Sequence, residues 1–436
     1  MRSFILILPL ILFTLGGCSV SDDNGIPQPS SCSVDGQKQF VLDTMNDVYF
    51  WNNLLPVSVD LSAYETAEEL LAYLISFQPL DGFSYVDSAA ADAQFFGAGQ
   101  YEGYGFSTRF EAADDLRLIQ VFADSPAGQA EFVRGDRIEM LNGLTIAEIE
   151  AGAGVSAYFS LPTLEFTLRH LDDSVETMTV DQGLVTIDPL PRSRLIPTPS
   201  GIPVGYLELS TFISTADAEF DSTFESFRLA GVNDVIIDLR YNGGGLISTT
   251  ELLGNYLGGE IADGLIFSQT LFNANNAGSN RIARFQDRLN AVSLMRLVVI
   301  ATDRTASASE LIINSMEPHA NVSVVGGTTF GKPVGQLGIQ FCGKILRPTA
   351  FETVNANGDG GYFGGLAVDC AAADDLSIPI GDDADPNITT ALTFLQTGAC
   401  PPVTLGPPER FKPGLRLAPG QHRTPQPPWR ELAGAW

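Results

Sequence analysis

Hydrophobic and polar positions follow three different patterns along successive parts of the chain. Residues 36–98 carry apolar side chains at helical spacing, which predicts a small helical N-terminal domain. Residues 99–182 hold short apolar runs separated by glycine-bearing turns, which predicts a β-rich domain. In residues 183–400, continuous apolar runs alternate with amphipathic stretches. Strands and helices in alternation imply a mainly parallel sheet, so we expect an α/β fold for this part.

Three apolar runs of the α/β part predict buried strands: Val235–Leu239, Leu297–Ile300 and Val322–Val325. Each run is soon followed by a segment that could carry chemistry, namely Gly243-Gly244-Gly245, Ser307 and Lys332 in turn. Ligand chemistry in parallel sheets gathers at the carboxyl ends of strands. We therefore expect these three segments to lie close together.

The two ends of the chain differ from this body. The run from Phe4 to Leu15 has 12 apolar-rich residues after a positive start, too short for a bilayer span and typical of a signal peptide, here 1–18. Residues 19–35 predict a flexible tether. Residues 401–436 contain nine prolines and more basic than acidic side chains, which predicts a disordered tail.

Composition narrows the class of partner. With 44% hydrophobic and 17% charged residues, the chain can bury a sizeable core. The formal net charge of −28 disfavours nucleic acid, which requires a basic face. The cysteines are scattered and no histidine pair has ligand spacing, so we expect neither a metal site nor a cofactor.

Four cysteines fall within the predicted folded part: Cys32, Cys342, Cys370 and Cys400. An even number in an exported protein favours two disulfides, and three pairings are possible. We expect Cys342 to pair with Cys370, because both flank one loop-rich insertion. Cys32 and Cys400 would then tie the two ends of the folded region together.

Ser307 is a candidate nucleophile, and a serine hydroxyl needs a base within hydrogen-bonding reach. Of the three histidines, only His319 lies near it in the sequence, and no acidic partner for a triad is evident. Lys332 follows 25 residues after Ser307 and is one of only four lysines. Apolar neighbours can lower the pKa of a lysine enough for it to act as a base, and Gln336 could orient the amine.

Backbone N–H groups near Ser307 could stabilise an oxyanion. Because Ser307 opens a predicted helix, its own N–H and that of Ala308 should lack helical partners. Together with the backbone of Gly243 and Gly244 they could form an oxyanion hole. Each part also has a plain structural alternative: a serine at a helix start is commonly a cap, a triple glycine a turn, and a lysine a solvated charge.

The combined motifs resemble those of the C-terminal-processing (tail-specific) serine proteases, over roughly residues 99–340. The resemblance is carried by Asp238–Gly245, Thr305–Glu310 and Phe330–Gln336. It implies that Ser307 is the nucleophile, Lys332 its base and Gln336 the partner of the lysine. The implied fold is a crotonase-like α/β core with a PDZ domain. Two departures are Thr305 in place of a serine and Pro333 in place of a glycine.

Residues 99–182 themselves resemble a PDZ domain, through Ser125-Pro126-Ala127 before a short helix and Arg134–Ile138 after it. The resemblance places a carboxylate-binding loop at Gly103, Tyr104, Gly105 and Phe106. Successive backbone N–H groups can hold a peptide's C-terminal carboxylate while the peptide adds a strand to the sheet. The alternative is an ordinary β-turn.

Leu15-Gly16-Gly17-Cys18 resembles a bacterial lipobox, which implies that Cys18 is acylated and becomes the mature N-terminus. The next position is Ser19, whereas this pattern associates an aspartate there with retention in the inner membrane. We therefore expect a lipid anchor on the periplasmic side of the bacterial envelope, at the outer membrane. The alternative is a secretory signal with a chance cysteine.

We thus expect an envelope-anchored serine endopeptidase that cleaves polypeptides near their C-termini with a Ser-Lys dyad. Two alternatives remain: a non-catalytic peptide-binding lipoprotein and a ligand carrier on the same fold. The sequence leaves the physiological substrate, the oligomeric state and the activity of the resting state open.

Overall fold

The computed structural model describes residues 29–402, apart from the side chains of residues 260 and 261. The predicted signal peptide with Cys18, residues 19–28 of the predicted tether and residues 403–436 of the predicted tail lie outside the described residues. Within 29–402, no helix combines the length and the apolar character that crossing a membrane requires.

The N-terminal part is mainly helical, and it does not fold around its own residues alone. Its elements are α1 (Val34–Val48), α2 (Ala67–Ile75), β1 (Tyr85–Ser88) and α3 (Ala89–Ala98). Ser33 caps α1 and Thr66 caps α2, each accepting a hydrogen bond from a first-turn N–H. The apolar faces of α1 and α2 pack against Phe341 and Leu346, which come from a hairpin far along the chain.

The β-rich part forms a sheet over a core of its own. Its elements are β2 (Gln100–Gly103), β3 (Phe106–Ala112), β4 (Asp115–Val121), α4 (Pro126–Gln129), β5 (Arg137–Leu141), β6 (Leu144–Thr145), α5 (Ile146–Glu150), α6 (Val155–Phe159), β7 (Thr163–Arg169), β8 (Val175–Asp181) and β9 (Gly183–Thr186). The strand order is β3-β4-β5-β7-β8, with β6 paired to β5 and β3 at one edge. Asn142 and Gly143 both have positive φ and form the tight hairpin turn between β5 and β6.

The remaining part holds the α/β core. Its elements are β10 (Arg192–Ile196), β11 (Val204–Glu208), α7 (Ala216–Leu229), β12 (Asp234–Asp238), α8 (Ile247–Ala262), β13 (Ile266–Phe272), β14 (Arg281–Arg284), β15 (Arg296–Ala301), α9 (Ala308–Met316), β16 (Asn321–Gly326), β17 (Val334–Gln336), β18 (Ile339–Phe341), β19 (Lys344–Arg347), β20 (Thr349–Val354), β21 (Cys370–Ala371) and α10 (Pro386–Thr397).

The central sheet has the order β10-β11-β12-β15-β16-β21, and all its pairs are parallel except β10 with β11. Residues of α7, α8 and α9 pack on one face, and α10 packs on the other. Burial on both faces explains why β12, β15 and β16 are nearly continuous apolar runs. The prediction of a mainly parallel sheet is confirmed.

Two smaller antiparallel sheets flank the central one. The first has the order β14-β13-β20-β17 and ends in β17, which follows Lys332. The second has the order β1-β19-β18, so the N-terminal part and the β18–β19 hairpin share one sheet. This sheet brings residues 81–88 beside β17, a neighbourhood that no local sequence pattern predicts.

The expected disulfide pairing is wrong. Cys32 pairs with Cys342, and Cys370 pairs with Cys400. Cys342 lies in the β18–β19 turn, which packs on α1 just after Cys32, because the hairpin completes the N-terminal core. Cys370 lies in β21 at the edge of the central sheet, where the chain returns after α10. Proximity along a loop was therefore a poor guide to proximity in the fold.

Candidate active site

Ser307 lies in a tight turn between β15 and α9. Its backbone has φ 57° and ψ −114°, an unusual conformation for a residue other than glycine. Such a conformation costs on the order of 1–3 kcal/mol and persists only when the surroundings hold it. The turn leaves the serine half-buried, at the carboxyl end of a central strand.

Hydrogen bonds from the serine turn to the loop after β12 hold this conformation. The Thr305 hydroxyl donates to the carbonyl of Leu239 at 2.7 Å. The N–H of Ala306 and the hydroxyl of Ser309 both donate to the carbonyl of Asn242, at 3.1 and 2.9 Å. Because Thr305 keeps the hydroxyl that this bond needs, its replacement of the usual serine is conservative.

The glycine run passes directly beside the serine. Gly244 has φ 111°, and a Cβ atom there would lie 2.8 Å from the Cβ of Ser307 and 3.0 Å from the N atom of Ala308. Only glycine can adopt this backbone and leave that space. The glycine run and the serine therefore meet at one edge of the sheet, as expected.

The backbone donors around Ser307 divide into occupied and available groups. The N–H of Ser307 donates to Glu310 at 2.9 Å, so the expectation that it lacks a partner is wrong. The N–H of Gly244 donates to the side chain of Asn242 at 2.9 Å, within its own turn. Within residues 29–402, the N–H groups of Gly243 and Ala308 donate to no other protein group. Of the predicted donors, these two are the ones available to an oxyanion.

Glu310 connects the serine with the lysine segment. Its carboxylate is fully buried and accepts hydrogen bonds from the Thr329 hydroxyl at 2.6 Å and the Gly331 N–H at 2.7 Å. One oxygen accepts from the N–H of both Ser307 and Lys332, at 2.9 and 2.8 Å. Those two backbone nitrogens therefore lie within about 6 Å of each other. Burial raises the pKa of Glu310, while its hydrogen bonds oppose that shift.

The amine of Lys332 lies in a partly apolar setting. Its Nζ donates to Oε1 of Gln336 at 2.9 Å and lies 5.0 Å from the centre of the Phe83 ring. Phe83 in turn contacts the exposed ring of Phe330, with centroids 6.2 Å apart. The predicted pairing of Lys332 with Gln336 is thus present as a contact.

Gln336 is fixed by two backbone carbonyls. Its Nε2 donates to Phe83 at 2.6 Å and to Arg347 at 3.2 Å. Because both amide protons are used in this way, the amide oxygen faces the lysine. Arg347 is itself held by Asp92 of α3, with hydrogen bonds of 2.5 and 2.7 Å.

The sequence pattern missed two residues of this site. Glu310 was visible in the motif, but its role as a shared acceptor depends on the backbone of residues 329–332. Phe83 carries no local signal of chemistry, because an aromatic residue in a mainly helical domain is usually part of the core. The position of Phe83 depends on β1 pairing with β19, which no local signal indicates.

His319 does not serve Ser307. Its Nε2 is 2.8 Å from the carbonyl of Ile266, and its ring packs edge-on against Phe285 at 4.9 Å. The histidine alternative to the lysine therefore has no geometric support. Within residues 29–402 there is also no group of three acidic, histidine or cysteine side chains placed to hold a metal ion.

A buried ionic network joins the glycine-run loop to the β-rich part. Asp374 accepts from Arg134 at 2.6 Å, from Arg109 at 2.8 Å and from Arg240 at 3.1 Å, and it also accepts from the Tyr241 hydroxyl. Burial acts to raise the pKa of Asp374, but the three guanidinium groups outweigh it and hold the pKa well below its usual value. Contacts with the β-rich part, made through Asp374, thus stabilise the loop that carries the glycine run.

A second buried carboxylate lies at the end of β11. Burial, with a contribution from the neighbouring carboxylate of Asp238, raises the pKa of Glu208 to about 7. Its only ion-pair partner among the described residues is Arg192, at 2.6 Å. This group therefore titrates near neutrality inside the central sheet.

The predicted carboxylate-binding loop joins β2 to β3. All four of its residues are buried, and the carbonyl of Gly105 accepts from the Phe122 N–H and the Ser125 hydroxyl, at 2.9 and 3.2 Å. The loop leads into β3, the edge strand of its sheet. Its binding role stays a prediction.

Comparison with known proteins places the chain in a family. The model for "Peptidase family S41" matches residues 203–370, and that for "Peptidase S41 N-terminal domain" matches residues 36–85. The chain belongs to peptidase family S41. The first match contains the glycine run, Ser307 and Lys332, and the second contains Phe83.

Curated relatives include a carboxyl-terminal-processing protease of Synechocystis, 25% identical over 54% of this chain and 53% of its own length. The carboxy-terminal processing protease CtpA of Bacillus subtilis is 22% identical over 59% of this chain and 53% of its own. The chain thus matches about half the length of these relatives.

Among solved structures, a candidate S41 protease from Bacteroides fragilis is similar with a TM-score of 0.66 and 22% identity, over 83% of this chain and 97% of the other. The photosystem II D1 C-terminal processing protease is similar with a TM-score of 0.53 and 20% identity, over 82% of this chain and all of the other. At these identities the likeness shows the fold.

Proposed function

We propose that this protein is a serine endopeptidase in which Ser307 is the nucleophile and Lys332 the general base. The observation that carries the proposal is the shared oxygen of Glu310, which holds the backbone of both residues within a few ångströms. The family supports the reaction type, since its named relatives are processing proteases.

In this mechanism the neutral amine of Lys332 takes the proton of the Ser307 hydroxyl while the Ser307 oxygen attacks the scissile carbonyl. The N–H groups of Gly243 and Ala308 stabilise the oxyanion that forms. The lysine ammonium then protonates the leaving amine, and an acyl-enzyme remains. Water, deprotonated by the same lysine, hydrolyses that ester and restores both residues.

Gln336 and Phe83 determine the position of the amine in this scheme. The amide oxygen of Gln336 directs one N–H bond of Lys332, and the ring of Phe83 excludes water from one side. An amine whose orientation is already fixed loses less conformational entropy when it reaches the geometry of proton transfer. The fold around it is the crotonase-like core that the resemblance implies.

The same proposal includes the peptide partner and the cellular location. The β-rich part acts as a PDZ-like domain, in which substrate C-termini bind beside β3 and the loop Gly103–Phe106. Cleavage near the C-terminus follows from that recognition. Acylated Cys18 holds the protein on the periplasmic side of the bacterial envelope, at the outer membrane.

The deciding experiment uses Ser307→Ala and Lys332→Ala on the full chain, with an unfolded protein as substrate. Both variants should lose cleavage to background, while their melting temperatures stay close to that of the parent. Ser226→Ala is the control for the serine, because Ser226 is exposed away from the site. Lys344→Ala is the control for the lysine, because it removes a half-buried lysine that is paired with Glu68 and not with Gln336. Full cleavage by either site variant would refute the dyad.

A separate experiment tests the anchor. Cys18→Ser should release the protein from the membrane fraction of the producing cells, and the parent's N-terminal peptide should carry the mass of the acyl chains. An unmodified Cys18 in the mature protein would contradict this part alone and leave the dyad untouched.

A further inference from the structure

A groove between α8 and β14 is unlike the rest of this acidic protein. It encloses about 360 Å³, and its walls carry three arginines, Arg281, Arg284 and Arg288, against one carboxylate, Glu251. The chain as a whole has a formal charge of −28. A local excess of guanidinium groups in such a protein favours an acidic ligand at this place.

The helix wall presents a single face to the groove. Ser248, Glu251, Leu252 and Asn255 are spaced by three, one and three positions, so their side chains lie along one side of α8. Asn255 also joins the helix to the segment after β14, because its side-chain oxygen accepts a hydrogen bond from the Gln286 N–H at 2.8 Å. The helix therefore forms a continuous side wall beside the strand.

The strand wall is a sheet edge. β14 pairs with β13 and ends the order β14-β13-β20-β17, so its outer row of N–H and C=O groups has no strand partner among the described residues. Ile282 is 51% exposed on this strand. An edge of this kind can accept an extended peptide as an additional strand, with the helix limiting its path.

The arginines retain the capacity to bind further. Arg281 contacts Glu251 at 2.6 Å and is more than half exposed. Arg284 donates to the Gly264 carbonyl at 2.9 Å, and Arg288 is exposed, with the Asp217 carboxylate within electrostatic range.

We propose that this groove binds an extended, acidic segment of polypeptide, which pairs with β14 and places its carboxylates on the three arginines. It is separate from the site at Ser307 and from the predicted loop at Gly103–Phe106. A bound segment of a substrate would act as an additional anchor beside the active site. That last step depends on the proposed function, whereas the binding itself does not.

The position of the groove suits such an anchor. β14 and β17 lie at opposite edges of one four-stranded sheet, which places them about 14 Å apart at the usual strand spacing. About four extended residues span that distance. α8 also begins two residues after Gly245, so one end of its wall adjoins the glycine run.

Binding is measured by fluorescence anisotropy on the full-length Ser307→Ala protein, which cannot consume the probe by the proposed dyad. The probe is a labelled peptide of alternating Glu and Val, and its control replaces every Glu by Gln. The acidic peptide should bind at least about tenfold more tightly than the control, and added salt should weaken it. Equal binding of both peptides would overturn the proposal.

The triple variant Arg281→Ala, Arg284→Ala, Arg288→Ala locates the binding. The affinity for the acidic peptide should fall about tenfold in this variant. Arg169→Ala, which removes another arginine paired with a glutamate, should leave the affinity unchanged. Unchanged binding in the triple variant would overturn the proposal, because the peptide would then bind elsewhere.

A reversed set controls for misfolding. With Arg281→Glu, Arg284→Glu and Arg288→Glu, binding should transfer from the Glu/Val peptide to a Lys/Val peptide, which an unfolded groove cannot do. Failure of both peptides to bind the reversed protein while its melting curve matches the parent would contradict the proposed contacts. Full cleavage by the Ser307→Ala protein, with peptide binding intact, would instead refute the proposed dyad and leave the groove unaffected.

Discussion

Ser307 and Lys332 are held in place by different parts of the fold. Ser307 is fixed by loops of the central sheet, through hydrogen bonds to Leu239 and Asn242. The amine of Lys332 depends on Gln336, whose amide donates to Phe83, 253 positions earlier in the chain. The serine half therefore belongs to the α/β core, whereas the lysine half is completed by the N-terminal part.

Because of this difference, the two halves of the candidate site depend on the packing of different parts of the chain. Parallel strands and a helix start place the serine with little freedom. The amine of Lys332 depends on a hairpin and an N-terminal core that pack together, so we expect changes in that packing to move the amine without moving Ser307. Glu310 is the exception, since its carboxylate contacts both halves.

The largest effect is expected from Glu310→Gln, which breaks the connection between the halves. An amide offers one acceptor oxygen in place of two, and its NH₂ group would face backbone donors. We expect kcat/KM for an unfolded protein substrate to fall about 100-fold or more, since two hydrogen bonds to a buried charge are lost. Glu317→Gln, at the other end of the same helix, is the control. A fall below threefold would show that the halves align without Glu310.

A smaller and more specific effect is expected from Gln336→Glu, which alters the lysine half alone. A carboxylate beside the amine favours the ammonium form, so the base becomes available only at higher pH. We expect roughly tenfold lower kcat/KM near pH 7 and an activity optimum moved to higher pH. Gln340→Glu, on the neighbouring β18, should leave the pH profile unchanged. A profile of unaltered shape would argue against Lys332 as the base.

A moderate effect is expected from removing the Cys32–Cys342 disulfide, which ties the N-terminal core to the β18–β19 hairpin. It closes a loop of 310 residues, against 30 for Cys370–Cys400. By loop closure, its removal should destabilise the fold by about 2 kcal/mol more than removal of the shorter one. Paired Cys→Ala variants compared by denaturant unfolding give this difference. Only the first pair should also reduce activity, a few-fold, because only that pair supports the lysine half.

The smallest effect on activity is expected from Glu208→Gln, within the central sheet. The pKa of Glu208 is about 7 in the fold, above the 4.5 of the free side chain. The protonated group therefore stabilises the parent fully below about pH 4.5, and this contribution is lost as the pH rises through 7. The loss amounts to as much as about 3 kcal/mol between pH 4 and pH 8. Melting temperatures of the variant should fall less over this interval, while its activity relative to the parent stays constant. A parallel fall in both proteins would contradict the shift.

Much of the serine half was predictable because its determinants are local. A buried apolar run, a serine at a helix start and a glycine run after the preceding strand each leave a signal within a few residues. The alternation of strands and helices then brings their carboxyl ends to one edge. The contact between Gly244 and Ser307 follows from that topology.

The disulfides and Phe83 could not be predicted in the same way. Both depend on the β18–β19 hairpin leaving the core and completing the N-terminal sheet through β1. Nothing in the sequence of the hairpin distinguishes that partner from any other apolar surface. The expected pairing of Cys342 with Cys370 failed for this reason.

By itself, the sequence determined the family, the parallel core and the candidate serine, lysine and glutamine, because short-range periodicity and motif spacing carry that information. Only the tertiary structure decided which backbone donors are available to an oxyanion, that Glu310 serves both halves, and that Phe83 borders the amine. The physical reason is that a hydrogen-bond acceptor has a limited number of partners, and which donors reach it depends on how distant segments pack. The edge of β14 and its arginines became a candidate binding groove for the same reason, since only the packed sheet shows which strand is left without a neighbour.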